Sequence, residues 1–180
     1  MPLDDERRLV ELAQAGDGEA FSKLYEAYFD RVYRFIFFRV ADDRMAEDLA
    51  SQVFLKAWEN LHRYRPRATF LAWLYAIARN SVIDMYRTRK TIISLEEAVP
   101  IAAQDDKLDD RLQLEFEVKA LQAAMQQLTR EQQEVITLKF IADYDTAQIA
   151  REMGKSEGAI RALQMRALQA LARAMKKDLK

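Results

Sequence analysis

The chain has 180 residues, enough for one ordinary domain or two small ones, and half of it is apolar, which excludes a wholly disordered protein. It contains no cysteine, which excludes disulfides and thiolate metal sites, and only four glycines and three prolines, which favours helix over sheet. The net charge of −1 argues against nucleic acid only until its distribution is read. Residues 61–90 carry 7 basic groups and 1 acidic, residues 91–118 carry 2 and 8, and residues 151–180 carry 8 and 3. Two basic blocks flanking an acidic one are the pattern of two DNA contacts on one chain; solvated charged faces are the plainer alternative for either block alone.

The first predicted helical block spans Leu3 to Lys90. Its acidic start lacks an apolar segment, so no signal peptide is expected. The most apolar stretch, Val32 to Val40, is interrupted by Arg34 and Arg39 and is too short to span a bilayer, so no membrane insertion and a cytoplasmic location are expected. Asp17-Gly18 opens a helix with Phe21, Leu24, Tyr28, Val32 and Phe35 at helical spacing, and Asp43 is a candidate cap for the next, with Ala46, Leu49, Val53, Ala57 and Leu61. Pro66 breaks the chain, and a further helix runs from about Thr69 to Lys90.

That helix is both basic and aromatic. At 100° per residue, Phe70, Leu71, Leu74, Ile77, Ala78 and Met85 share the face expected to be core. Tyr75, Arg79, Asn80, Tyr86, Arg87 and Lys90 gather on the opposite face, with Trp73 at its margin and Arg63 and Arg65 just upstream. Basic groups hold phosphates while aromatics stack on exposed bases, a combination suited to unpaired DNA. Trp73 alone reads more simply as a core aromatic.

From Thr91 to Arg111 the periodicity fails around Pro100 and the acidic run from Asp105 to Asp110, which read as a flexible linker. About 20 flexible residues have a root-mean-square span near 25 Å, and drawn out they reach roughly 65 Å. The second block begins near Leu112, with Leu114, Val118, Leu121, Met125 and Leu128 as an expected buried stripe. Thr129 and Asp145 each begin a capping box with Gln three residues on, Gly154 ends a short helix, and Ser156 caps the last one. Short helix, glycine-containing turn and longer helix make a helix-turn-helix signature. Ile149, Ala150, Ile160, Ala167 and Leu171 supply its packing. Arg161, Ala162, Met165, Arg166 and Gln169 fall on the other side, where Arg can read guanine and Gln adenine in a major groove.

No P-loop, no Gly-x-Ser-x-Gly and no dinucleotide fingerprint occurs, and His62 stands as the single histidine. No catalytic site, metal or cofactor is expected.

Ala46-Glu47-Asp48-Leu49 leading to Val53-Phe54-Leu55-Lys56-Ala57-Trp58, then Phe70 through Trp73-Leu74 to Ile77-Ala78-Arg79-Asn80, Ile83-Asp84 and Arg87, resemble a bacterial sigma factor of the sigma-70 family, extracytoplasmic function (ECF) group. The resemblance runs from about Leu9 to Ala174. It implies an all-α protein of two small helical domains: domain 2 over residues 1–90, an acidic linker over 91–111, and domain 4 with its helix-turn-helix over 112–180. It implies a non-enzymatic factor that brings core RNA polymerase to promoters, often held in check by an anti-sigma factor.

By that resemblance Glu47, Asp48, Ser51 and Gln52, with Leu55 as an apolar anchor, dock on the clamp helices of the β′ subunit. Trp73, Tyr75, Arg79, Asn80 and Arg87, in the stretch that also holds Arg63, Arg65 and Tyr86, match the segment that engages and opens the −10 element as partly single-stranded DNA. Domain 4 binds the −35 element as duplex and touches the β flap, with Ser156, Arg161 and Arg166, beside Met165 and Gln169, as the candidate contacts. Trp73-Leu74 replaces the paired aromatics of housekeeping factors, which implies weaker melting. Ser51 stands where the family often has Gln, and Leu163 where it often has Arg. A stand-alone helix-turn-helix regulator on duplex operators is the rival reading, and a helical protein-only adaptor a second.

Overall fold

The computed structural model describes residues 3–40, 42–65, 69–93 and 110–178. Among them the regular elements are helices: α1 (Leu3–Gln14), α2 (Gly18–Phe37), α3 (Asp43–Asn60), a 3-10 turn over Leu61–Arg63, α4 (Phe70–Ile93), α5 (Asp110–Gln126), α6 (Arg130–Phe140), α7 (Thr146–Met153) and α8 (Glu157–Asp178). The protein is all-α. Pro66, and the segment between Ile93 and Asp110 that holds most of the expected linker, lie outside the described residues.

Local chemistry sets the helix ends. The Asp17 carboxylate accepts the amides of Glu19 and Ala20, satisfying two N–H groups that have no intrahelical partner. Asp42, and not Asp43, caps α3: its backbone is extended and its carboxylate accepts the Met45 amide at 2.8 Å. Asp43 sits inside the first turn, where its charge favours the positive end of the helix dipole. Both expected capping boxes form, at Thr129 with Gln132 and at Asp145 with Gln148. Gly154 closes α7 with φ +62°, in the left-handed region, and Ser156 Oγ accepts the Ala159 amide at 3.2 Å to open α8.

In the first half, α2 packs on α1, α3 and α4, and α3 packs on α4. Leu24, Val32, Phe35 and Ile36 of α2, Ala46 and Val53 of α3, and Phe70, Leu74, Ala78 and Val82 of α4 are fully buried. In the second half α8 packs on α5, α6 and α7, burying Ile149, Ile160, Leu163 and Ala167. The expected stripe on α5 is buried only toward its C-terminal end. Met125 and Leu128 are core, Leu121 is partly buried, Val118 is exposed, and the Leu114 side chain lies outside the described residues. Burial follows neighbours rather than period. The polar Gln122, which an apolar pattern skips, is buried because its amide reaches the end of α2.

The two halves meet there. Gln122 Nε2 donates to the carbonyls of Phe37 (3.2 Å) and Val40 (3.3 Å), and Gln126 Nε2 donates to Val40 (3.0 Å). These are carbonyls at and just beyond a helix C-terminus, where the chain itself offers no further partners.

Candidate nucleic-acid interface

The core face of α4 lies as its sequence predicts. Phe70, Leu71, Leu74 and Ala78 are buried, and Ile77 and Met85 pack against the core. The opposite face does not. Tyr75, expected outside, is 2% exposed; its ring lies tilted against that of Phe35 (4.9 Å) and its hydroxyl donates to the Ile141 carbonyl at 3.3 Å. Burial raises its pKa. The expectation gave α4 one covered side, whereas the turn after α6 covers another.

Arg79 is partly buried in an ion pair with Glu134 of α6. The Tyr86 hydroxyl donates to the Arg39 carbonyl, and the Arg130 guanidinium lies 4.2 Å from its ring centroid, in cation–π geometry. Asn80 and Arg87 are exposed, Arg87 at 3.9 Å from Asp84. Arg63 and Arg65 are exposed, each held locally: Arg63 donates to the His62 ring and Arg65 to the carbonyls of His62 and Tyr64.

Trp73 is half-buried, its ring clustered with those of Tyr64 (5.1 Å) and Phe70 (5.6 Å). Its free edge joins Lys56, Asn60, Arg63, Ile77, Asn80 and Ser81 around an open cavity of about 390 Å³. Pockets for small organic groups run from about 300 to 1,000 Å³. One wall is aromatic and apolar, the other carries two cations, two amides and a hydroxyl. Lys56 Nζ lies 3.1 Å from Ser81 Oγ, which ties α3 to α4 across the floor. Sequence reasoning missed Lys56, Asn60 and Ser81 as members of this site. The available signal was the i,i+4 spacing of Lys56 and Asn60, which puts both on one side of α3.

On α3, Glu47, Asp48, Ser51 and Gln52 are all exposed, and Leu55 is 57% exposed. Trp58, one turn on, is also exposed, with its ring 4.8 Å from Phe21, and Tyr25 sits on Phe54 nearby. The result is an apolar ridge with an acidic upstream end.

On α8, Arg161, Ala162, Met165, Arg166 and Gln169 are exposed along one side, while Ile160, Leu163 and Ala167 are buried on the other. Ser156 is exposed, but its hydroxyl serves as the cap of α8. Arg161 Nη1 is 3.3 Å from Glu157 Oε2. Leu163, noted as a departure at a position where an Arg is frequent, lies inside the core and presents nothing to a groove.

Among the described residues no helix is long and apolar enough to cross a membrane, and no group of three or more His, Asp or Glu is arranged to hold a metal ion.

A basic-aromatic helix beside a cavity on one half, and a helix-turn-helix with an exposed basic side on the other, define a two-part helical nucleic-acid-binding protein. Two family models match the same halves: sigma-70 region 2 over residues 24–92 and sigma-70 region 4 over residues 119–171. The ECF RNA polymerase sigma factor BldN of Streptomyces coelicolor is 39% identical over 94% of the chain, which covers 66% of that protein's length. The ECF RNA polymerase sigma factor SigX of Bacillus subtilis is 31% identical over 87% of the chain and 84% of its own. The sigma factor RpoE of Bartonella quintana, solved in complex with the anti-sigma factor NepR, shares the fold with a TM-score of 0.68, at 23% identity over 87% of this chain and 96% of that one. The chain belongs to the sigma-70 family of RNA polymerase sigma factors, in its ECF group.

Proposed function

We propose that this chain binds core RNA polymerase in the cytoplasm and directs it to promoters with −35 and −10 elements, itself performing no catalysis. Residues 1–90 act as domain 2, residues 91–111 as linker and residues 112–180 as domain 4. The observation that carries this reading is the cavity beside Trp73 and Asn80. It offers one aromatic wall and a cationic rim, which suits a single unstacked nucleotide rather than a closed duplex. Melting then needs no chemistry from the protein. Stacking and pocketing of a flipped base offset its unpairing, worth a few kcal/mol per base.

Roles follow from position. Glu47, Asp48, Ser51 and Gln52, with Leu55 and Trp58 as apolar anchors, form the polymerase-docking ridge against the β′ clamp helices. Lys56, Arg63 and Asn80 line the base cavity, while Arg65, Arg79, Tyr86 and Arg87 serve the neighbouring strand. Arg161, Met165, Arg166 and Gln169 face the −35 duplex, and Ser156 orders the start of their helix; domain 4 also meets the β flap. Tyr75 serves as packing. An anti-sigma factor holds the protein inactive, as the relative solved with one supports.

Genomic run-off transcription with core polymerase tests this. Promoter-specific initiation is expected, lost when Trp73 and Asn80 are both replaced by Ala. Tight binding to duplex operators without any polymerase-dependent initiation would instead establish a stand-alone regulator.

A further inference from the structure

The first helix, α1, precedes the residues matched by the region 2 model, yet two of its side chains reach the supports of the base cavity. Glu6, Val10, Ala13 and Gln14 share one side of α1, at the i, i+4, i+7, i+8 spacing. Val10 and Ala13 are buried and dock that side. The two polar members, about 12 Å apart along the axis, take main-chain groups from two different elements.

Gln14 Nε2 donates to the carbonyls of Leu61 (2.9 Å) and Tyr64 (3.0 Å). Leu61 begins the 3-10 turn that carries Arg63, and Tyr64 follows it. Glu6 Oε1 accepts the amide of Phe70, the first residue of α4, at 3.3 Å, and its other oxygen accepts the Tyr28 hydroxyl from α2. A first-turn amide has no intrahelical partner, and a carboxylate there also meets the positive end of the helix dipole. One helix thus holds both the turn that ends α3 and the start of α4.

These two places carry the opposing walls of the cavity. Arg63 comes from the turn and Trp73 from α4. The Trp73 ring clusters with those of Tyr64 and Phe70, the same two residues whose main chain α1 holds. A shift of the turn along α1 would carry Tyr64, and Trp73 with it. Docking of α1 needs only Val10 and Ala13. Gln14 is exposed, so its two hydrogen bonds fix place more than they add burial.

We infer that Gln14 is a positioning residue for the base cavity: with Glu6 it lets α1 set the spacing of Arg63 and Trp73, and so how well the cavity holds one unstacked nucleotide. This rests on the proposed role of that cavity at the −10 element.

Trp58→Phe leaves Trp73 as the single tryptophan of the chain, and its emission then reports the cavity wall. In that background Gln14→Ala is expected to raise acrylamide quenching of Trp73, with the circular dichroism spectrum unchanged. Holoenzyme carrying Gln14→Ala alone is then tested on promoters recovered by genomic run-off transcription. Open complexes, read by permanganate reactivity, are expected to be about fivefold less favoured, the loss of one typical hydrogen bond, with core-polymerase binding intact. In a Trp73→Ala chain the same change is expected to add no further loss, because residues acting through one another are not additive. A second fivefold loss there, weakened core binding, or either readout unchanged in folded protein would overturn the positioning role. If Gln14→Ala misfolds, the isosteric Gln14→Glu, which removes the donor, must move both readouts the same way. Trp73→Ala combined with Asn80→Ala separates this role from the site itself. Undiminished opening in that chain removes the base site and the positioning role with it. Opening lost there, while Gln14→Ala is inert, overturns the positioning role alone.

Discussion

Asn80 and Arg161 are exposed polar side chains at two positions proposed to face DNA, one per half, and each has a separable consequence. Asn80→Ala is expected to reduce open-complex formation while core-polymerase binding, measured by gel shift, is unchanged, because its side chain lines the cavity and not the α3 ridge. Arg161→Ala is expected to weaken −35 binding by about 1–3 kcal/mol if its guanidinium reads a base. An equal loss on all duplexes would mark a phosphate contact instead. Residues on α8 were legible because a helix packed on one side obeys its own period: Arg161, Met165, Arg166 and Gln169 all emerge. Tyr75 was not, since its burial depends on Ile141, 66 positions away, and no local spacing encodes that. Leu163 shows the complement. A family position named for its frequent Arg is, in this chain, a core position.

The elements of the second half are punctuated by side chains whose chemistry could be read before any fold was known. Thr129, Asp145, Gly154 and Ser156 all act where the sequence puts them, because caps are local, each spanning three or four residues. Asp145→Ala is expected to destabilise the chain by about 1 kcal/mol in urea unfolding, by orphaning the Gln148 amide. Gly154→Ala is expected to cost about 1–2 kcal/mol, although a Cβ there would meet nothing within 4 Å among the described residues, because the loss comes from φ +62° alone. Measuring both, and finding Gly154→Ala neutral, would show that the turn relaxes. The first half was harder to read at this scale. Two adjacent aspartates compete to cap α3, and only the backbone angle of Asp42 decides between them.

For the molecule as a whole, charge led to the expectation of contact with DNA but not of contact between the two halves. Alkali tests that closure. Burial raises the pKa of Tyr75, and pushes that of Tyr144, whose ring meets it from the second half, up to about 12. The folded, closed form therefore holds these protons more tightly than a solvated tyrosine does. Its stability is fully present below the ordinary value of about 10 and falls as pH rises from there toward 12. Tyr75→Phe is expected to flatten that decline in a pH series of thermal unfolding; an unchanged slope would assign it to other tyrosines, such as Tyr28, whose pKa is also raised by burial. The end of α2 offers a quieter gauge. Its last carbonyls are finished by Gln122 and Gln126 from the opposite half, while the amides of Arg39 and Val40 fold back onto Ile36. When the halves part, those carbonyls pass to water and the final turn is free to fray. Deuterium uptake at residues 39 and 40 is thus expected to report, with no added probe, how firmly Gln122 and Gln126 hold the end of α2, and Gln126→Ala to speed it.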